Sequence, residues 1–259
     1  MHIKDSLDYT GKVVLVTGGT KGIGATIAQQ FLEAGAQVIV CGRQTPEHLP
    51  TAQDRTADFQ AIDLRDTDAL SAMFDYIAEH YGRLDVVVNN AGGSPAVDAA
   101  TVSPRFSESI IRLNLLVPLN VAQFANRIMQ NQAEGGALVF IGSVSASRPS
   151  PGTAAYGAAK AGVLSLVSSL AVEWAPKVRV VSVSPGLIKT EQSHLHYGDE
   201  AGIQAVGETI PAGRMGEPSD VAGACLFAAS PLASYWSGTN LLLHGGGETP
   251  AFLSSSTAK

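Results

Sequence analysis

One stretch sets the architecture of this chain: Val13-Val14-Leu15-Val16-Thr17-Gly18-Gly19-Thr20-Lys21-Gly22-Ile23-Gly24. Its apolar beginning is typical of a buried strand, and a helical pattern runs on from Gly24 to Glu33. The glycines between them permit positive φ and a close approach of the backbone to a ligand, and a helix N-terminus offers free N–H groups to a phosphate. The stretch therefore predicts a strand–turn–helix unit that binds the pyrophosphate of a dinucleotide. A tight turn without a ligand is the alternative.

Short apolar runs alternate with helical patterns over the rest of the chain. They lack the polar alternation of a half-exposed strand, which is typical of a parallel sheet covered on both faces. The predicted strands are 13–16, 38–40, 86–88, 138–141, 178–183 and 241–243, with a weaker one at 59–62, and the clearest helices are 24–33, 66–80, 108–129 and 155–174. This order predicts an α/β fold, a Rossmann-type doubly wound sheet with helices on both faces.

Length and composition fit a single domain over residues 1–259. The 259 residues are 45% hydrophobic, and no repeat or linker divides them. The weakest pattern, at about 187–213, follows a predicted strand end, so we expect a mobile loop over the substrate; a solvated surface loop is the alternative. For the tail 247–259, capping of a site or of a subunit boundary and disorder are equally open.

Charge and cysteine content argue against several classes of protein. The formal net charge is −6 with no basic block, which disfavours nucleic acid or an anionic membrane as a partner. The two cysteines, Cys41 and Cys225, are far apart in sequence and are expected to be buried thiols, not a disulfide. Residues 1–12 lack the apolar core of a signal peptide, and the charge-free run 223–243 is broken by proline, serine and glycine. We expect a cytoplasmic protein without a metal site.

The choice of dinucleotide depends on the residue that follows the second predicted strand. An acidic residue there would bind the ribose hydroxyl of NAD and repel a 2′-phosphate. Instead, the strand ends in Val40-Cys41-Gly42-Arg43, and Lys21 adds a second cation within the glycine-rich turn. Two cations favour a phosphate, and so NADP(H) over NAD(H). The alternative is that Arg43 stacks on the adenine or faces water.

A second group of residues is suited to acid–base chemistry. Tyr156 and Lys160 are four residues apart on a predicted helix, so they share one face. A nearby ammonium should lower the pKa of a phenol, ordinarily about 10, toward the range useful for proton transfer. Ser143 follows a predicted strand 13 residues before Tyr156, where its hydroxyl can hold a substrate oxygen next to the phenol. The tyrosine–lysine spacing alone is common on protein surfaces; its combination with Ser143 and the upstream turn is far more specific.

Motifs along nearly the whole chain carry a resemblance to a known family. They are Thr17 to Gly24, Asn89-Asn90-Ala91-Gly92, Asn114, Ser143, Tyr156-Gly157-Ala158-Ala159-Lys160, Pro185-Gly186 and Gly245-Gly246. With these motifs the chain resembles the short, single-domain branch of the short-chain dehydrogenase/reductase family. The resemblance implies a sheet of about seven parallel strands and redox chemistry with a nicotinamide dinucleotide.

The resemblance also implies a role for each motif. Tyr156 would be the general acid in reduction and the base in oxidation, Ser143 would stabilise the reacting oxygen, and Lys160 would hold the nicotinamide ribose. Asn114 would support a water that relays protons to Lys160. The expected cofactor contacts, with the two cations included, are Gly18, Thr20, Lys21, Gly22, Ile23, Gly24, Arg43, Asp63, Leu64, Asn90, Ala91, Gly92, Tyr156, Lys160, Pro185, Gly186, Ile188 and Thr190. His244 stands where the family often has aspartate, with little expected effect on the chemistry.

The predicted helix 155–174 lacks a clear polar face. Apolar residues from Val163 to Trp174 cover most of its circumference, and a helix that is apolar all round requires burial on all sides. We therefore predict a homo-oligomer, a dimer or a tetramer. The alternative is that the serines at 165, 168 and 169 make the helix polar enough for exposure.

Together the residues predict NADP(H)-dependent oxidoreduction of a ketone, an aldehyde or a secondary alcohol. A regulatory protein that binds the dinucleotide without turnover is the alternative outside enzymes, and an epimerase or dehydratase is the alternative among them. The substrate pocket is expected at Gly93, Ser94, Ser145, Thr153 and 187–210, residues that specify no single molecule. Arg148 near the pocket mouth would meet an anionic group or water.

Overall fold

A computed structural model describes residues 6–255 and contains the expected seven-stranded parallel sheet. Its strands are β1 (Val13–Thr17), β2 (Gln37–Gly42), β5 (Asp58–Ala61), β6 (Val86–Asn89), β7 (Gly136–Ile141), β8 (Val178–Pro185) and β9 (Asn240–Leu243). They lie in the order β5-β2-β1-β6-β7-β8-β9, and every pair is parallel. The order reverses between β1 and β6, and a crevice for ligands is expected at the carboxyl ends of these two strands.

Helices cover both faces of the sheet, which confirms the doubly wound fold. On one face, α1 (Gly22–Glu33) and α8 (Pro218–Ala229) share a core with Val14 and Val16 of β1. On the other, α2 (Thr67–Tyr81), α4 (Val117–Asn131) and α5 (Ala154–Glu173) share a core with Leu15. Alternate residues of one strand thus enter two different cores, which is why the strands are apolar throughout. Cys41 and Cys225 are buried free thiols, as expected.

The segment predicted as one helix over 108–129 is instead interrupted. Helix α3 (Pro104–Ile111) runs into a π-helical turn at Arg112–Leu116, and α4 follows directly. Pro118 has no N–H and cannot donate to the carbonyl of Asn114 four residues earlier, so the regular helical bonding is broken there. The interruption places Asn114, which is fully buried, at the turn.

The predicted loop at 187–213, hereafter the lid, contains two short helices. These are α6 (His194–Tyr197) and α7 (Glu200–Glu208), and the side chain of Asp199 caps α7 by accepting from the N–H of Gly202. A small apolar cluster of Ile203, Ile210 and Met215 packs beneath the lid. Two further strands of two residues each, β3 (Thr51–Ala52) and β4 (Arg55–Thr56), form an antiparallel pair that was not predicted from the sequence. In the tail, α9 covers Ala251–Ser255; residues 256–259 and 1–5 lie outside the described part.

Helix α5 is, in the described part of the chain, the one helix long and apolar enough to span a membrane. Its inner side, with Val163, Val167 and Leu170, is buried on the sheet. On its outer side, the hydroxyls of Ser168 and Ser169 donate to carbonyls of the same helix, four residues earlier. Its placement is that of a core helix with one weakly polar outer face.

Candidate active site

The glycine-rich turn is held in shape by hydrogen bonds and by the absence of side chains. Gly18 has a φ of 63° and donates to the carbonyl of Cys41 at 3.0 Å. A β-carbon on Gly24 would collide with the carbonyl of Gly18, so only glycine permits this approach of helix to turn. The amide of Asn90 donates to the carbonyls of Thr17 and Gly18 at 2.9 and 3.1 Å. Asn90, expected to lie beside the cofactor, thus holds the glycine-rich turn through its side chain.

The N-terminus of α1 opens beside this turn and suits an anionic ligand. Lys21 at its N-cap makes no side-chain hydrogen bond to the helix, and the first turn holds no acidic residue. Its N–H groups and the positive end of the helix dipole are therefore available to a pyrophosphate. The carboxylate of Glu191, from the lid, lies 3.6 Å from the point where a β-carbon on Gly22 would stand. The lid thus places a negative charge beside the anion-binding end of the helix.

The end of β2 carries the residues that would meet the adenosine half. Arg43 is exposed, and Thr20 lies beside Gly42. Asp63, expected to contact adenine, is engaged by Arg65, whose Nε and Nη2 donate to its carboxylate at 2.9 and 2.6 Å. These hydrogen bonds, helped by the charge of Arg43, lower the pKa of Asp63 to about 2. Leu64, also expected there, is buried, with 7% of its surface exposed.

The structure brings Ser143, Tyr156 and Lys160 together. Ser143 precedes a short 3-10 turn, where its oxygen accepts from the N–H of Ser145 at 3.1 Å, so its own proton is free to donate. Burial raises the pKa of the Tyr156 phenol, and the nearby Ser143 hydroxyl lowers it by a smaller amount. Lys160 is buried and donates to the carbonyl of Ile141 at 2.7 Å.

The expected lowering of the tyrosine pKa by Lys160 is wrong, because burial is the largest influence on the phenol and raises that pKa. The Lys160 Nζ lies 5.6 Å from the centroid of the Tyr156 ring. Burial lowers the pKa of Lys160 itself from 10.5 to about 8. Lys160 therefore gives up its charge more readily than a lysine in water. Burial thus favours the neutral form of both Tyr156 and Lys160.

Asn114 closes the inner wall of the site. Its Oδ1 accepts from the N–H of Gly93 at 2.8 Å, and its Nδ2 donates to the carbonyls of Gly93 and Ile110, both at 3.0 Å. A β-carbon on Gly92 would stand 2.6 Å from this Oδ1 and 3.6 Å from the Lys160 Nζ. The missing side chain at Gly92 thus lets Asn114 and Lys160 approach each other. The Asn114 amide thus holds the 90–93 loop through Gly93 and ties it to α3 through Ile110.

The segment from Pro185 to Thr190 is held in place by contacts with the end of β9 and with Gly216. Gly186 donates to the carbonyl of Leu243 at 2.8 Å, and a β-carbon on it would stand 2.8 Å from the β-carbon of His244. Ile188 forms a β-bridge with Gly216. The expected nicotinamide-contact residues Pro185, Gly186, Ile188 and Thr190 thus lie where β8 runs into the lid, beside the end of β9.

Several polar residues near the site had no signal in the sequence. Ser150 is one, and its hydroxyl bonds to those of Ser145 and Thr153 at 3.1 and 2.6 Å. Others are Ser182 and Ser184, which are buried with hydroxyls that have no partner among the described residues. The side chain of Asn89, from the Asn89-Asn90-Ala91-Gly92 motif, is buried in the same way. Buried polar atoms of this kind usually bind ordered water. Only the folded sheet brings these side chains near Ser143.

The glycine-rich turn at the switch point and the adjoining Ser–Tyr–Lys cluster define a dinucleotide-dependent oxidoreductase of the α/β class. A sequence model described as Enoyl-(Acyl carrier protein) reductase matches residues 18–248. The chain is 36% identical over 242 residues to 3alpha-hydroxysteroid dehydrogenase of Mediterraneibacter gnavus, covering 90% of this chain and 96% of that protein. It is 37% identical to 3-oxoacyl-(acyl-carrier-protein) reductase MabA of Mycobacterium bovis, with 92% and 93% covered.

Solved structures agree with these relatives. The ligand-free aldohexose dehydrogenase of Thermoplasma acidophilum superposes with a TM-score of 0.88 at 32% identity, over 97% of this chain and 99% of that one. The chain therefore belongs to the short-chain dehydrogenase/reductase family, whose members are oxidoreductases that act on alcohol- or ketone-type substrates.

Proposed function

We propose that this protein is an NADP(H)-dependent oxidoreductase that interconverts a ketone or aldehyde and the corresponding alcohol. The observation that carries this proposal is the convergence of the Ser143 hydroxyl and the buried Lys160 on the Tyr156 phenol. The cluster adjoins the carboxyl edge of the sheet, near the point where the glycine-rich turn opens. We assign these three residues and Asn114 to the catalytic machinery.

Tyr156 transfers the proton in this mechanism. In reduction its phenol donates a proton to the substrate oxygen, and in oxidation the phenolate takes that proton back. A phenol with a raised pKa keeps its proton at neutral pH, which suits the role of acid. Ser143 has a free O–H that donates to the same oxygen and stabilises the negative charge developing there. When bound, the dinucleotide supplies or accepts the hydride at its nicotinamide ring.

The preference for NADP(H) rests on charge. β2 is followed by Arg43 in place of a carboxylate, and Lys21 stands at the N-cap of α1. Both side chains are exposed and able to reach a 2′-phosphate. Asp63, the nearest carboxylate, is neutralised by Arg65 and does not oppose a phosphate at full strength.

The remaining sequence-based expectations stand as proposals. We assign a single catalytic domain to residues 1–259, with the lid as its substrate-covering element and α5 as a contact between identical subunits of a dimer or tetramer. We propose a cytoplasmic location and a small-molecule partner, with no role for nucleic acid or membrane, in keeping with the net charge of −6.

The test is the consumption of NADPH with a panel of ketones, sugars and 3-ketoacyl thioesters, repeated with NADH. We expect carbonyl-dependent loss of NADPH absorbance and a slower rate with NADH. Tight binding of NADPH without turnover of any carbonyl would favour the regulatory alternative. A panel that includes enoyl thioesters also separates carbonyl from carbon–carbon double-bond reduction. The Ser143–Tyr156 pair is built to meet an oxygen, so turnover of the enoyl compounds alone would contradict the proposal.

A further inference from the structure

A cavity of about 300 Å³ opens between the loop that follows Ser143 and the loop that follows Pro185. One wall begins at Val144, directly after Ser143, and another at Gly186, directly after Pro185. Leu187, Ile210 and Leu242 make much of the lining apolar, while Arg148, His244 and Glu248 supply polar groups. A substrate whose carbonyl meets Ser143 would extend its remaining atoms into this space.

Arg148 is the cation of this cavity, and its guanidinium is only partly paired. Its Nη2 lies 2.7 Å from a carboxylate oxygen of Glu248, and its Nη1 donates to the carbonyl of Pro149 at 3.2 Å. Its Nε is buried and has no partner among residues 6–255. That donor is out of reach of solvent, so a ligand in the cavity would meet the guanidinium at its Nη atoms. A ligand carboxylate would take the place of Glu248 on Nη2, as a charge-assisted hydrogen bond of the kind that suits a guanidinium.

Glu248 holds this guanidinium by one oxygen. It follows three successive glycines, Gly245, Gly246 and Gly247, with φ values of 63°, 100° and 85°. The side chains of Arg148 and Glu248 are 35% and 39% exposed. An ion pair so exposed to water contributes little to stability. A substrate anion can therefore replace Glu248 at little cost.

We propose that Arg148 binds a carboxylate of the carbonyl substrate, and that Glu248 is its counter-ion when no substrate is bound. This inference rests on the proposed function and names its substrate class: keto acids, or hydroxy acids in reverse, with an apolar body. The backbone N–H of Arg148 donates to the carbonyl of Val144 at 3.2 Å, so Arg148 lies one helical turn beyond Ser143. The anion must then lie near the reacting carbonyl, whereas the phosphates of a pantetheine thioester lie a whole pantetheine arm away.

The experiment compares a medium-length keto acid with its primary amide, which has the same skeleton without the charge. NADPH-linked kcat and KM are measured for both with the wild type, Arg148→Gln, Arg148→Lys and Glu248→Gln. The control is Arg55→Gln, which removes the same charge from β4. In the described part of the chain, the Arg55 side chain donates to a carbonyl at the end of α1. We expect the wild type to prefer the acid at least tenfold in kcat/KM, and Arg148→Gln to lose most of that preference through KM. Arg148→Lys should be intermediate, Glu248→Gln should lower KM for the acid, and Arg55→Gln should keep the wild-type preference.

Three results would overturn the inference. If the wild type reduces acid and amide equally well, Arg148 does not bind the carboxylate of the substrate, although the oxidoreductase assignment would stand. If Arg148→Gln impairs a 3-ketoacyl-CoA but not the keto acid, the anion is a phosphate of the thioester. If neither acid nor amide is reduced while other ketones are, the substrate class is wrong; if no ketone is reduced, the proposed function fails as well. Should Arg148→Gln not fold, inhibition of the wild type by the saturated acid and its amide decides, and equal inhibition constants would refute the proposal.

Discussion

At the scale of single residues, burial controls the two groups that would exchange protons. Lys160 carries its ammonium in the interior, where one carbonyl, that of Ile141, receives its hydrogen bond. Tyr156 has lost water as well, and the pKa of its phenol is raised by that burial. Neither group is therefore in its charged form as readily as in water.

The depressed pKa of Lys160 has a consequence for stability. The folded protein releases this proton near pH 8 and the unfolded chain near 10.5, so below pH 8 the buried charge destabilises the fold. The penalty fades as the pH rises from about 8 to 10.5. We therefore expect Lys160→Met to raise the free energy of unfolding at pH 7 by up to about 3 kcal/mol, and much less at pH 10. Urea denaturation at both pH values measures this, and an equal difference at the two would contradict it.

Arg43 should set the choice of dinucleotide. Because it is the exposed cation that follows β2, Arg43→Ala should weaken NADPH binding and leave NADH binding nearly unchanged. A charge-assisted hydrogen bond contributes about 1.5–3 kcal/mol, so the preference for NADPH should fall roughly tenfold to a hundredfold. Kd values from fluorescence titration measure it, with Arg105→Ala on α3 as the charge-matched control. An equal preference for NADPH over NADH in Arg43→Ala and the wild type would show that Arg43 does not bind the 2′-phosphate.

At the scale of elements, the lid and α1 meet at the expected pyrophosphate site. The carboxylate of Glu191 lies beside Gly22, where the phosphates of the cofactor would bring like charge. Glu191→Gln should therefore tighten NADPH binding several-fold, and the gain should shrink at high salt. Glu208→Gln, on α7 of the same lid, removes the same charge from a carboxylate that accepts only from Gln204 in the described part. If both variants bind NADPH equally well, net charge and not the position of Glu191 is responsible.

The elements also explain what the sequence could predict and what it could not. The seven strands of the main sheet were predicted because both of their faces are buried and apolar, as the two cores on Leu15 and Val14 demonstrate. β3 and β4 have two residues each, too few for any periodicity. The lid helices were missed because their stability comes from a local cap at Asp199 and a small cluster around Ile203. The π-turn was missed because helical periodicity continues on both sides of it.

The same holds for the site. Tyr156 and Lys160 were predicted as neighbours since helical spacing alone places them on one face. Arg148 and Glu248 are 100 residues apart in sequence, and no local sequence pattern predicts that the tail contacts the loop after Ser143. Ser150 likewise joins Ser145 through a side-chain contact that only the folded loop creates.

At the scale of the whole molecule, the outer face of α5 is the surface where a second subunit is expected. Val172 is 80% exposed there, and the hydroxyls of Ser168 and Ser169 are turned back onto the helix. We expect light scattering to give a multiple of the 26.8 kDa chain mass, and Val172→Arg to lower it. Tyr235→Ser, at a fully exposed aromatic residue elsewhere, should leave it unchanged. A wild-type mass equal to one chain would contradict the predicted oligomer.

The central claim is that the Tyr156 phenol delivers the proton to a substrate held by Ser143. Its most direct test is Tyr156→Phe, which removes one oxygen from a partly buried ring, with Tyr235→Phe as the matched control. Single-turnover and steady-state NADPH oxidation are measured with a ketone that the wild type reduces, alongside NADPH binding. We predict that Tyr156→Phe binds NADPH with nearly the wild-type Kd but turns over at least a hundredfold more slowly, while Tyr235→Phe matches the wild type. Turnover by Tyr156→Phe at a rate comparable to the wild type would contradict the proposed mechanism.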